Sequence, residues 1–208
     1  MKSSSNLGAC HWRDRLLGAV APLDQGVRGL TVNTFRHADD FAGRPGRTAA
    51  VLVPVLDLEQ PEVVFTRRAE HLAQHAGQVS FPGGAAEQHD DSAVATALRE
   101  AREEIGLDPS AVTAVGFLDR FDTISDYRVL PVVGLVEPPA RWVIDRSEVA
   151  EVFTVPLDVL LDRSNYHKQV AEHFGQRYVY HHLDWQGHSI WGLTAAMMLN
   201  LLWRMDGR

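Results

Sequence analysis

Apolar positions along this chain fall mostly into short runs broken by glycine, proline and charge. Thr48 to Leu58 (TAAVLVPVLDL) and Glu62 to Thr66 (EVVFT) are β-branched runs separated by Glu59-Gln60-Pro61. That is a hairpin-like signal, in which Pro54 predicts an edge or a bulge. Gly77 to Phe81 is a further candidate strand and runs into Pro82-Gly83-Gly84, where a turn is expected. From Ser92 to Ile105 the period changes, with Val94, Leu98, Ala101 and Ile105 at spacings of four, three and four. Ser92 suits an N-cap, Gly106 the C-terminal stop, and Pro109 lies just beyond. Further on, Val112 to Phe121 and Val129 to Val136 predict strands and Glu148 to Val155 an extended segment. Leu157 to Leu161 predicts a short helix, Tyr178 to Leu183 a strand, and Gly192 to Met205 a C-terminal helix. Near the start, His11 to Val20 predicts a short helix after a polar tail over residues 1–9, and Ala21 to Pro45 carries little pattern. Strands before and after one central helix, without regular alternation, predict a mixed α+β fold rather than a doubly wound parallel sheet.

The 208 residues suffice for one good-sized domain. No repeat or long linker divides them, so residues 1–47 are expected to be a tail and lead-in and residues 48–205 the working domain. With 20 basic and 27 acidic residues, the net charge of −7 leaves no basic excess for a nucleic-acid backbone. Cys10 is the single cysteine and can make neither an internal disulfide nor a cysteine zinc cage. The longest uncharged apolar stretch, Ala49 to Leu56, is too short to span a bilayer, and Met1 to Asn6 lacks the apolar core of a signal peptide. A cytoplasmic protein without membrane or nucleic-acid partners is expected.

The informative stretch is Arg99-Glu100-Ala101-Arg102-Glu103-Glu104-Ile105-Gly106-Leu107. On a helix, Glu103 and Glu104 lie about 60° to one side and about 40° to the other of Glu100, so the three carboxylates share a stripe. Like charges at these spacings cost a few tenths of a kcal/mol per pair. A hard divalent cation would turn that repulsion into attraction. A solvated face with Arg99 and Arg102 as counterions is the bland alternative, and the glycine-rich Phe81-Pro82-Gly83-Gly84 ahead of the helix weighs against it.

The stretch resembles the Nudix box, G-x(5)-E-x(7)-R-E-U-x-E-E-x-G-U with U aliphatic. Gly84 matches the opening glycine, and Arg99, Glu100, Glu103, Glu104, Gly106 and Leu107 match the second half in register. Gly84 to Arg99 is one residue longer than the standard spacing. The first acidic position is filled by an aspartate, Asp90 counted from the glycine or Asp91 counted back from Arg99. The resemblance implies a Nudix fold, a mixed β-sheet sandwiched between helices, and a hydrolase that cleaves a diphosphate with divalent cations. It implies that Glu100, Glu103 and Glu104 hold Mg²⁺ or Mn²⁺, helped by backbone near Gly83 and Gly84, and that Arg99 orients the glutamates. A box glutamate, Glu148 or Glu151 would be the general base.

Upstream, Thr66-Arg67-Arg68-Ala69, Gly77 and Phe81-Pro82-Gly83-Gly84 resemble the signature of coenzyme A pyrophosphatases, L-L-T-x-R-[SA]-x(3)-R-x(3)-G-x(3)-F-P-G-G. Arg68, Ala69, Gly77 and FPGG fall in register, while Ala73 stands where the second arginine belongs. His71, Gln74 and His75 are the nearby residues able to compensate. The similarity runs over roughly residues 48–200. It implies cleavage of coenzyme A or acyl-CoA to 3′,5′-ADP and (acyl-)4′-phosphopantetheine, with Arg67 and Arg68 as phosphate-facing candidates. The alternatives are a Nudix diphosphatase acting on ADP-ribose, a dinucleotide or a nucleoside triphosphate, and a non-catalytic Nudix-like binding domain.

Other constellations are weaker. His71 and His75 lack carboxylate or cysteine partners and suit a loop role, and adjacent His181 and His182 should point to opposite faces of a strand. Ser80 and Ser125 have no triad partners. Trp185 and Trp191 suit the core. Met197, Met198, Leu201, Leu202 and Met205 suit core or a homodimer contact.

Overall fold

The computed structural model describes residues 9–25, 32–34, 46–123, 125–138, 142–173 and 176–207. Residues 1–8 of the predicted tail, most of the Ala21–Pro45 segment and the Cys10 side chain lie outside the described residues. The described elements are α1 (Ala9–Ala19), β1 (Val32–Thr34), β2 (Arg47–Leu56), β3 (Glu62–Arg68), β4 (Val79–Ser80), β5 (Gly83–Ala85) and α2 (Ala93–Ile105). They continue with β6 (Val112–Phe117), β7 (Arg120–Asp122), β8 (Tyr127–Val136), β9 (Val149–Pro156), α3 (Leu157–Leu160), β10 (His167–His173), β11 (Gln176–Trp185), β12 (His188–Trp191) and α4 (Gly192–Met205). The first nine strands make one mixed sheet, ordered β1-β7-β8-β2-β3-β4, with β5 on β2, β6 on β8 and β9 on β3. Strands β10-β11-β12 form a separate antiparallel sheet.

The spine of the main sheet is β2 running parallel to β8 from Arg47↔Tyr127 to Leu56↔Val136. Both strands are apolar on both sides, as strands covered on two faces must be. Alternate residues divide them. Ala50, Leu52 and Val132 join Ala97, Ala101 and Ile105 of α2 on one face. Val53, Val55 and Val133 join Trp12 and Leu16 of α1 and Met197, Met198 and Leu201 of α4 on the other. The sheet is thus sandwiched between helices, as expected of the α+β fold.

Three expectations change, each beside a proline. β2 is central rather than an edge. Pro54 fits there because its missing N–H falls between Val51, the last residue paired with β5, and Val55, the first paired with β3. The single strand expected over Val112 to Phe121 is two, both on β8, and the break lies opposite Pro131, which accepts from the Leu118 N–H but has none to return. The turn expected at Pro82-Gly83-Gly84 narrows to a bend at Pro82, and Gly83 begins β5, laid on β2. Gly83 is required there: its φ is +156°, and a Cβ would sit 2.5 Å from the Ala50 carbonyl oxygen and from Val51 Cα. β1, β10 and β12 had no clear signal, β10 (HKQVAEH) lacking any apolar alternation. His181 and His182 do face opposite ways, and Trp185 packs on the core, whereas Trp191 is exposed and tilts against Tyr180.

Candidate active site

The helix that carries the acidic stripe starts and stops where the sequence predicts. The Ser92 side chain accepts from the Ala95 N–H at 3.1 Å, and Gly106 closes the helix at φ +68°, its N–H donating to the Arg102 carbonyl at 3.0 Å. With Ala97, Ala101 and Ile105 buried in the sheet, Arg99, Glu100 and Glu104 turn toward β5.

Arg99 organises this face. It grips Asp90 with two nitrogens, at 3.1 and 3.0 Å. The remaining nitrogen donates to Glu100 at 2.9 Å and Glu103 at 3.0 Å, and the Ala85 carbonyl accepts at 3.1 Å. The Asp90 side chain is 4% exposed and also accepts from the Glu87 N–H at 2.9 Å. The paired Arg99, then the backbone donor, hold the Asp90 carboxyl well below the usual carboxylate range, and Asp90 holds the guanidinium charged in return. Asp90 rather than exposed Asp91 therefore occupies the first acidic position of the box.

Glu100 lies against the backbone of Gly84, where a Cβ would fall 2.6 Å from its Oε1. Burial raises its pKa against the pull of Arg99, and the charges of Glu103 and Glu148 add to the rise. Glu104 is buried, 3% exposed. Burial first, then the like charge of Glu100, push its carboxyl up to about 8; Arg68 and the N–H of Gly83 oppose the rise and Glu148 adds to it. Glu103 is the exposed member and rests on Arg99. Gly83, Gly84, Arg68, Glu100, Glu104 and Glu148 thus converge at one end of the α2 face.

Arg67 and Glu151 are not brought there. Strand alternation puts Arg67 on the side of Phe65 and Glu151 on the side of Phe153, in the α4-side core, while Arg68 follows Val64 toward α2. Arg67 bonds Glu151 at 3.2 Å and Glu70 at 2.8 Å, and Glu151 also meets His188 Nε2 at 3.2 Å, its ring stacked on Phe153. Hydrogen bonding from His188 draws the Glu151 carboxyl down. Glu151 lies within β9 rather than on a loop, and of the two later candidates for a base only Glu148 shares the field of Glu100 and Glu104.

A contact the sequence did not reveal ties the upstream motif to Glu148. Ala69 N–H donates to the Glu148 carbonyl at 2.8 Å, and His71 Nε2 to the Ser147 carbonyl at 3.0 Å. The partners are far apart in the chain, and a backbone acceptor leaves no mark in composition.

The donor set fits a hard divalent cation. Glu104 is a buried carboxylate set against two more, with too little positive charge nearby to balance them. Among the described residues no three acidic, His or Cys side chains are already closed into a cage, and Arg99 holds Glu100 and Glu103.

The model of the NUDIX domain matches residues 46–178. The uncharacterised Nudix hydrolase NudL of Pectobacterium atrosepticum is 43% identical over 164 residues, 78% of this chain and 84% of its own. This chain belongs to the Nudix hydrolase family. The NudL of Salmonella paratyphi B is 42% identical over 156 residues, 74% of this chain and 81% of its own. Among solved structures, a MutT/nudix family protein from Enterococcus faecalis overlaps 79% of this chain and 64% of that one, at 14% identity and a TM-score of 0.49. Nudix hydrolases act on small-molecule diphosphates and use divalent cations. Among the described residues of this Nudix hydrolase no helix is long and apolar enough to cross a membrane.

Proposed function

We propose that this Nudix hydrolase cleaves the diphosphate of coenzyme A and acyl-CoA, releasing 3′,5′-ADP and 4′-phosphopantetheine or its acyl form. One observation carries the reading: the segment that resembles the coenzyme A signature forms the wall of the carboxylate site. Arg68 faces Glu104, Gly83 donates to it, and Gly84 backs Glu100.

In this reading Glu100, Glu103 and Glu104 hold Mg²⁺ or Mn²⁺ beside the backbone of Gly83 and Gly84. The bound cation supplies positive charge at the diphosphate and acidifies the attacking water. Arg99, clamped by Asp90, keeps Glu100 and Glu103 in place. Arg68 sets its positive charge beside Glu104, where it favours a diphosphate anion at the site. Glu148, exposed beside the other carboxylates, takes the proton of the attacking water at its carboxylate oxygen.

The test is a product assay by chromatography and mass with Mg²⁺ or Mn²⁺ and, separately, coenzyme A, dephospho-coenzyme A, ADP-ribose, NADH and a nucleoside triphosphate. Release of 3′,5′-ADP from coenzyme A at the highest kcat/KM is expected. A second reading rests on Ala73, which removes one signature arginine. Preference for ADP-ribose, a dinucleotide or a nucleoside triphosphate would establish it. Metal-dependent turnover abolished by Glu104→Gln excludes a domain that only binds.

A further inference from the structure

Glu148 rides on a strap, residues 145–149, that crosses from the end of α2 to the start of β9. The strap has no apolar anchor of its own until Val149, since Asp145, Arg146, Ser147 and Glu148 are all exposed. Hydrogen bonds alone set its course. At the helix end, Asp145 N–H donates to the Glu104 carbonyl at 2.9 Å. Within the strap, the Asp145 carboxylate accepts from the N–H and hydroxyl of Ser147 at 2.8 and 2.7 Å, and the N–H groups of Glu148 and Val149 return to the Asp145 carbonyl at 3.1 and 2.9 Å. At the outer end, the fastening comes from the upstream motif: the Ala69 N–H on the Glu148 carbonyl and the His71 ring on the Ser147 carbonyl.

The Glu148 side chain is exposed, and an exposed loop held by few bonds opens at low cost. The base of the motif loop that presents His71 is itself pinned, with Ala69 buried and the Arg68 N–H on the Gln78 carbonyl at 2.9 Å.

We infer that His71 is a positioning residue for Glu148: its Nε2–H, by holding the Ser147 carbonyl, keeps the Glu148 carboxylate at the site. The inference rests on the reading of Glu148 as the proton acceptor. It also gives the segment around Ala73 a task beyond substrate contact, since that loop sets the position of the base.

The test is a double-mutant cycle on the diphosphate that the enzyme turns over fastest, with kcat, KM and melting temperature measured for each variant. His71→Ala should lower kcat by roughly three- to ten-fold, the scale of one net hydrogen bond, and leave KM and melting nearly unchanged. His71→Gln, whose amide can reach the same carbonyl, should recover most of the loss. Glu148→Gln should lower kcat further, and adding His71→Ala to it should do no more harm. If Glu148→Gln is impaired and His71→Ala turns over at the wild-type rate, the inference fails and the reading of Glu148 stands. It fails equally if the two losses multiply in the double variant, or if the His71→Ala loss comes with a lower melting temperature and a raised KM. Glu148→Gln at the wild-type rate overturns the reading of Glu148 and the inference with it.

Discussion

Alanine at Gly84 should separate the chemistry of this site from its stability. An added Cβ would stand 2.6, 2.7 and 2.8 Å from Oε1, Cδ and Oε2 of Glu100. The carboxylate must retreat by roughly 0.8 Å to regain ordinary van der Waals distance. It is the end of a flexible side chain, and Gly84 has no positive φ, so the fold can yield for less than about 1 kcal/mol. At about 2–4 °C per kcal/mol for a domain of this size, the melting temperature should move by only a few degrees. The rate should not survive as well, because a misplacement on the order of 1 Å in a catalytic constellation can cost about 100-fold. Gly83→Ala is the paired control. There the new Cβ meets backbone, the Ala50 carbonyl oxygen and Val51 Cα at 2.5 Å, and the φ of +156° disfavours any side chain. Overpacking of that kind should cost about 3 kcal/mol or more, or roughly 6–12 °C. Thermal melts and steady-state rates on both variants settle the matter. Full activity in Gly84→Ala would refute the placement of Glu100, and wild-type melting in Gly83→Ala would refute the packing of β5 on β2.

Three further outcomes follow from the same geometry. In protein stripped of metal, Glu104 has a folded pKa of about 8 against an ordinary 4.5, so the folded state binds more protons between those values and stability falls as pH rises through that window. The slope is at most about 1.4 kcal/mol per pH unit; melting followed in EDTA should show it in wild type and not in Glu104→Gln, and identical profiles for the two would sink the claim. Arg68→Ala should raise KM for the diphosphate, whereas Arg67→Ala should cost up to about 1 kcal/mol of stability through its half-exposed pairs and leave KM alone; denaturant titration and kinetics on the pair check the assignment, and equal KM values contradict it. Asp90→Asn removes the charge that grips Arg99 and should lower both kcat and stability, by about 2–3 kcal/mol for the latter, and unchanged melting would show the pair to be ornamental.

What was legible in the sequence was what neighbours in the chain decide. The caps of α2 depend on Ser92 and Gly106 with their adjoining turn, and both do what their side chains predict. The bounds of α4 follow from its apolar period in the same way. Partners distant in the chain were not legible. Nothing in EVVFT says that it binds β9 along most of its length and β2 at only two pairs, and nothing in TAAVLVPVL says that it lies parallel to β8. Pro54 misled for that reason: whether a missing N–H matters depends on the strand beside it. The choice between Asp90 and Asp91 was of the same kind, since only the reach of Arg99 back across the loop decides it.

The same limit explains how the candidate site divided. Arg67 and Arg68 are indistinguishable by composition, yet alternation along β3 sends them to opposite faces of the sheet. On β9 the pairing slips between Arg67↔Glu151 and Arg68↔Val149, so Ala150 is an extra residue. Strict alternation would put Val149 on the face of Glu151, with Phe153. The bulge returns Val149 to the α2 side, where it is buried against the core beneath the helix. The chain leaving Val149 toward Ser147 therefore emerges beside Glu100 and Glu104 rather than behind the sheet. A single inserted residue leaves Glu151 bound to Arg67 and His188 on one face and delivers Glu148 to the carboxylates on the other. Reading a base from such a segment requires the register of the sheet, and the register is fixed by β3, which carries Arg68 to the same place.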